Sequence, residues 1–334
     1  MIGGRPILDL VGRVVLAAAV YTFFAATDSS YRTVDALYPL INAFALVGLV
    51  ALGLGVTMIA GELDLSVGSM AAVAGIIAVY LSDWGLVPCL LVAVAASAAF
   101  GAVQGLAIAT LRVNSLVFTI GTLIALRGFA FVISHEQSVL VNLNNLSISD
   151  SVVRKLWIFS PFSLTTIVAF VLVGAFMSLT RFGREIYAVG GGRAEALGAG
   201  VSSFRSIVIA FTLSAALAGL AGGLASLQSG AAQPAAFDSL LLGGATAALV
   251  GGVSLYGGRG SFVGIAVGAL TLRFLVLGIS SRGAPFYVES LATGALLLAV
   301  LLMELVTGRG RGLGILGKLR TTPEPARDTG TLRP

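Results

Sequence analysis

Charge is the scarcest property of this sequence. Only 10% of its 334 residues are Asp, Glu, Lys or Arg, against roughly 25% in a soluble domain, and this excludes a water-facing globule. Cysteine is nearly absent. Cys89 stands alone inside an apolar run, so no intrachain disulfide can form. The single histidine, His135, has Glu136 beside it but no second His or Cys nearby, and a zinc site needs more donors than that. Neither a GxSxG elbow nor an HExxH pair occurs, which leaves intramembrane hydrolysis without a nucleophile or a metal. The net charge is +5. The basic residues fall mostly between apolar runs rather than on one soluble face, so they act as topology signals and nucleic acid is not an expected partner.

Apolar residues, by contrast, are abundant: 57% of the chain is hydrophobic and its mean hydropathy is +1.01. The 43 glycines and many alanines suit helices that approach closely in lipid. The apolar runs are about 17 to 26 residues long, not the ~10-residue alternating segments of an outer-membrane barrel. The expected fold class is therefore all-α, a polytopic membrane protein with about ten transmembrane helices. The spans read as residues 9–26, 37–60, 66–82, 86–111, 115–133, 163–180, 206–228, 239–256, 261–279 and 287–306. Connections are short except for a polar stretch from Ser134 to Pro161 and a basic loop from Thr180 to Ser206. The N-terminal apolar run ends in a leader-like FFAAT, but nothing after it resembles a secreted domain, so it is read as a span.

With the N-terminus in the cytoplasm, the inside segments and their margins hold Arg5, Arg13, Arg112, Arg181, Arg184, Arg193, Arg205 and Arg259. The tail adds Arg309, Arg311, Lys318, Arg320, Arg327 and Arg333, which makes 14 of the 20 basic residues. The outside keeps only Arg32, Arg154, Lys155 and Arg282, while Arg127 and Arg273 lie within spans. The positive-inside rule then places both termini in the cytoplasm. Residues 1–308 form the permeation domain in this reading. Residues 309–334, rich in Gly, Arg, Pro and Thr, form a disordered basic cytoplasmic tail. The tail's GLGILGKL (Gly312 to Leu319) approaches a phosphate-binding loop, but Leu319 stands where Ser or Thr must hold magnesium, and no α/β context surrounds it. ATP is not expected to bind this chain.

Four stretches carry functional weight. The first, GELDLSVGSM (Gly61 to Met70), places two carboxylates between apolar runs, where ionisable groups are costly and mark function by default. Asp64 or Ser66 capping the next helix, with Glu62 facing headgroups, is the simple reading. A helix break at Asp64, Ser66 and Gly68 that borders a polar path and shapes a gate is the functional one. The second, NSLVFTIGTLIALRG (Asn114 to Gly128), opens a span with polar residues and sets Thr119 and Thr122 on one helix face. With Gln104 on the preceding span, these residues suit either interhelical hydrogen bonding or a hydroxyl-bearing substrate in an apolar cavity. The third, TRFGREIYAVGGGRAEALGAGV (Thr180 to Val201), reads as a positive-inside loop or, with two short helices between glycine turns, as a docking surface. The fourth, GGVSLYGGRGSFVGIAVGAL (Gly251 to Leu270), joins a Gly-rich turn to a span in which Gly264 and Gly268 are spaced for packing. The pairs Gly101/Gly105 and Gly219/Gly223 have the same spacing.

In this order, from about residue 40 to 306, the four stretches resemble the permease subunits of bacterial ABC importers for ribose, xylose and related monosaccharides. The family's DLSVGS-like turn is matched by Asp64 to Ser69, and its T-x-G-T…RG stretch by Thr119, Gly121, Thr122, Arg127 and Gly128. Its T-x-x-GR-x-x-YA-x-GG loop is matched by Thr180, Gly183, Arg184, Tyr187, Ala188, Gly190 and Gly191. Its late GG-x-SL-x-GG-x-G motif is matched by Gly251, Gly252, Ser254, Leu255, Gly257, Gly258 and Gly260. The chain departs from the pattern at Glu62, at Gly192 with the following Ala196 to Gly200, and at Ser239 to Val250.

The resemblance implies a multi-pass bacterial inner-membrane subunit. A second permease copy, identical or paralogous, would complete the pore. Cytosolic ATPase subunits would carry ATP and magnesium, and an extracytoplasmic sugar-binding protein would deliver cargo. Arg181, Gly183, Arg184, Tyr187, Gly190 and Gly191 would then form the ATPase coupling loop. A proton-coupled secondary carrier using Glu62 or Asp64 is the rival, and an ABC permease for branched-chain amino acids is a nearer alternative.

Overall fold

The computed structural model describes residues 5–142, 145 and 147–319. Among these, the helices are α1 (Arg5–Thr27), α2 (Val34–Ile59), α3 (Val67–Tyr80), α4 (Leu86–Leu111), α5 (Ser115–Ile133), α6 (Ser147–Val153), α7 (Pro161–Leu179), α8 (Arg181–Gly191), α9 (Arg193–Gly198), α10 (Ser203–Ser229), α11 (Leu240–Val250), α12 (Phe262–Ser280) and α13 (Phe286–Leu319). A two-residue antiparallel ladder, β1 (Val139–Leu140) with β2 (Ala231–Ala232), is the only sheet among them. Helix starts are marked by residues that satisfy orphan amides. Thr33, Asn114, Thr180, Ser202 and Ser261 each accept from the first turn of the helix that follows. Ser160 and Ser163 form a reciprocal capping box at α7.

Among the described residues, eight helices are long and apolar enough to cross a membrane, and each coincides with a predicted span to within a few residues, α13 running on beyond its own. The third and eighth predicted spans differ. α3 has 14 residues and α11 has 11, about 21 Å and 17 Å of helix against a hydrocarbon core of about 30 Å. Their missing length is replaced by irregular backbone, the 60–66 turn before α3 and the 233–239 segment before α11. Non-helical backbone at membrane depth persists only where protein or water covers it. α3 accordingly lies in dense protein, buried from Val67 to Ile76.

Glycine makes that density possible. α10 packs on α4 through the Gly101/Gly105 and Gly219/Gly223 pairs: a Cβ on Gly101 would lie 2.5 Å from the Phe211 carbonyl, and one on Gly219 2.3 Å from the Ser97 hydroxyl. On the other face of α10, a Cβ on Gly222 would lie 1.9 Å from the Ala71 carbonyl of α3. Gly264 and Gly268 serve α12 against α11 in the same way, facing the Gly251 and Ala247 carbonyls. All three spaced pairs therefore pack helix against helix.

The connections sort onto two ends of the bundle. At one end the 60–66 turn, the 112–114 turn, α8–α9 and the 251–261 turn meet, and the Gly258 amide donates to the Ile59 carbonyl at 2.8 Å. At the other end Lys155 pairs with Asp35 at 2.7 Å, Tyr38 bonds the Val153 carbonyl and β1 pairs with β2. Both short helices expected in the basic loop are present, as α8 and α9, and α6 adds a third in the polar stretch. GLGILGKL lies within α13, not in a strand-to-helix loop. The predicted tail begins inside the same helix, and its residues 320–334 lie outside the described residues.

Candidate gate and coupling site

After α2 ends, Gly61 turns the chain at φ 79°, a left-handed conformation that costs glycine nothing. The chain then climbs back into the bundle. Asp64, 1% exposed, becomes the centre of a hydrogen-bond network drawn from three elements. Its Oδ1 accepts from the Ser66 amide (3.1 Å), the Ser66 hydroxyl (2.6 Å) and the Gln104 side-chain amide on α4 (3.2 Å). Its Oδ2 accepts from the Ser214 hydroxyl on α10 at 2.8 Å. The turn's own backbone is held from α5: the Leu63 amide donates to Ser115 Oγ at 3.3 Å, and the Thr119 hydroxyl donates to the Leu63 carbonyl at 3.2 Å.

The structure thus brings Asp64, Ser66, Gln104 and Thr119 together, all buried. Gly68 belongs to the same region, where a Cβ would lie 2.8 Å from the Phe237 carbonyl. Asn114 is exposed and caps α5, and Thr122 bonds back to the Thr119 carbonyl at 3.2 Å. Ser66 makes no capping bond to α3; its hydroxyl serves Asp64 instead. Ser214 escaped the sequence reading because 150 residues separate it from Asp64, and a serine among alanines and leucines reads only as a small packing residue.

Glu62 does not face headgroups. It is 6% exposed and paired with Arg193, which reaches in from the start of α9. Around this pair three glycine segments abut backbone to backbone. A Cβ on Gly190 would lie 1.8 Å from the Ile59 carbonyl, one on Gly257 2.8 Å from Gly61 Cα, and one on Gly258 2.6 Å from Gly191 Cα. Gly257 and Gly258 also hold φ of 80° and 69°. The Gly-rich motifs, far apart in sequence, are therefore parts of one joint.

α8 has two faces. On the inner face Ile186 and Val189 are buried. Tyr187 donates to the Gly260 carbonyl at 2.9 Å, and burial pushes its hydroxyl pKa up. Glu185, also buried, pairs with Arg181 at 2.7 Å and approaches Arg205 at 3.7 Å. Gly183 sits so close to the end of α7 that a Cβ would lie 2.2 Å from the Met177 carbonyl. On the outer face Arg181, Phe182 and Arg184 are exposed, and on α9 Leu197 is exposed beside them.

The Glu62–Arg193 pair predicts an asymmetry. Arg193 is half exposed and Glu62 is not, so Glu62→Ile leaves a cation that water solvates, whereas Arg193→Ala strands a buried carboxylate. Glu62→Ile should keep uptake within about threefold of wild type, and Arg193→Ala should lower the melting temperature in detergent more. Complete loss of uptake in Glu62→Ile would point instead to a proton-carrying acid.

The site is a buried, hydrogen-bonded break in a multi-pass helical bundle, joined at one end to a pair of short helices with an exposed face, and the family and relatives of the chain make it a membrane transporter subunit rather than an enzyme. Residues 37–301 match the family described as branched-chain amino acid transport system / permease component, and the chain belongs to that family. The chain is 31% identical over 307 residues to the ribose import permease protein of Escherichia coli (strain K12), covering 89% of this chain and 92% of that one. It is 29% identical to the L-arabinose ABC transporter permease protein of Azospirillum brasilense, covering 90% and 89%. It is 27% identical to the xylose transport system permease protein of Escherichia coli (strain K12), covering 92% and 94%. No solved structure matches it.

Proposed function

We propose that this chain is the membrane-spanning permease of an ATP-driven importer and passes a monosaccharide or similar polyol that an extracytoplasmic binding protein delivers. The observation that carries the coupling half of this reading is α8–α9, exposed on one side and keyed on the other into the Gly61 and Gly257 turns. ATP and magnesium act on cytosolic ATPase subunits that dock on Arg181, Phe182, Arg184 and Leu197. Their motion enters through Gly190 and Gly191 and reaches the Asp64 turn through the glycine joint. Asp64, Ser66, Gln104 and Ser214 clamp that turn, so it moves as a unit with α3 and acts as the gate. A second permease copy completes the path. The end bearing α8 and α9 faces the cytoplasm with both termini, in the inner membrane.

The cargo assignment draws on the ribose, arabinose and xylose permeases that resemble this chain over about nine-tenths of its length. An amino-acid cargo has the family description in its favour. A proton-coupled carrier needs an acid that water can reach, and both Glu62 and Asp64 are enclosed.

Reconstitution with the partner ATPase and binding protein decides among them. Labelled ribose, arabinose or xylose should accumulate only with ATP, while leucine should not. Uptake driven by a pH gradient without ATP would overturn the importer reading.

A further inference from the structure

α5 carries a charge where a membrane span should have none. Arg127 lies twelve residues beyond Ser115, about 18 Å along the helix axis. Its Nη2 sits 2.9 Å from Oδ2 of Asp238. Asp238 belongs to the irregular segment that leads into the short helix α11, so the pair ties α5 to that segment. Both side chains are nearly half exposed, at 46% and 45%. An Arg or Asp facing hydrocarbon costs roughly 2.5–3.5 kcal/mol even on the lower scales, and such residues turn to protein or water instead.

The polar residues around the pair mark this side as one that meets water or protein. Gln233 and Ser239, on the same irregular segment as Asp238, are exposed as well.

On the permease reading above, we infer that Arg127 and Asp238 face the aqueous path and hydrogen-bond the hydroxyl groups of a neutral polyol. The pair suits that chemistry. A guanidinium offers donors only and a carboxylate acceptors only, so neighbouring hydroxyls can accept from one and donate to the other. Because the charges cancel, the site does not select for an ionic cargo.

Water access and cargo contact are tested separately. In a Cys89→Ala background, Ser239→Cys and Gly128→Cys leave the ion pair intact, and Val171→Cys on the exposed face of α7 serves as the lipid-facing control. A charged, membrane-impermeant methanethiosulfonate reacts with thiolate, which forms in water. In vesicles opened to both sides, Ser239→Cys and Gly128→Cys should be labelled at least tenfold faster than Val171→Cys. Equal rates would overturn the assignment of this side to the path. In the reconstituted importer, Asp238→Asn should raise the uptake KM for the accepted sugar about tenfold while ATPase stimulation stays unchanged. An unchanged KM would remove the cargo contact. Labelling requires neither ATP nor a known substrate, so its failure is distinguishable from failure of the importer reading, which the wild-type uptake assay decides.

Discussion

Asp64→Ala is expected to leave little folded permease in the membrane. The carboxylate is the common acceptor for the Ser66 amide and hydroxyl, the Gln104 amide and the Ser214 hydroxyl. These donors come from the 60–66 turn, α4 and α10, so one side chain joins three elements. Removing it leaves several buried donors short of a partner at about 1–3 kcal/mol each. Even after the hydroxyls re-bond to nearby carbonyls, a loss of several kcal/mol is large beside the ~5–15 kcal/mol that holds a typical domain together. The measurement is the yield of monodisperse protein from detergent extraction, expected to fall at least tenfold. Wild-type yield and melting temperature would show that the network is incidental.

Asp64→Asn separates this role from proton carriage. The carboxamide oxygen can keep the place of Oδ1, facing Ser66 and Gln104. Its NH2 group then meets Ser214, whose hydroxyl can turn and accept. Packing is conserved and the charge is gone. A clamp should therefore retain tens of per cent of ATP-dependent uptake in Asp64→Asn, whereas a proton-carrying acid should lose all of it.

The contrast between Asp64 and Ser214 shows how far the sequence could be read. Long apolar runs report spans directly, and α5 falls at residues 115–133 as its apolar run and polar start indicated. The short helices did not announce themselves. Their apolar stretches, 66–82 and 239–256, are as greasy as true crossings, and only tertiary contact decides where the helical part stops. Gly61, Gly190 and Gly257 were legible as turn or motif glycines one at a time. Their meeting in one joint depends on topology, which no local pattern encodes. Asp64 was conspicuous because a carboxylate is rare at that position, while Ser214, Arg193 and Asp238 became informative only once their partners were in place.

Arg184→Glu should abolish transport while leaving the permease folded. Arg184 lies on the exposed face of α8, and its side chain bonds the protein from Nη1 to the Leu179 carbonyl at 3.2 Å. Water can replace that bond, so its loss costs at most about 1 kcal/mol. Membrane insertion and melting temperature should therefore match wild type. Docking is affected far more. Arg181 and Arg193 are paired with Glu185 and Glu62, so Arg184 carries most of the positive charge this face offers, and reversing one charge at a charge-complementary interface costs on the order of 2–5 kcal/mol. At about 1.4 kcal/mol per decade, the lower part of that range already gives a loss of one to two orders of magnitude in ATPase affinity. Sugar uptake and permease-dependent stimulation of the ATPase should fall together, by about a hundredfold, and Arg184→Lys should retain a substantial part of both. Full ATPase stimulation by Arg184→Glu would remove α8 from the coupling surface, because a docking face that tolerates a reversed charge at its centre is not reading that charge.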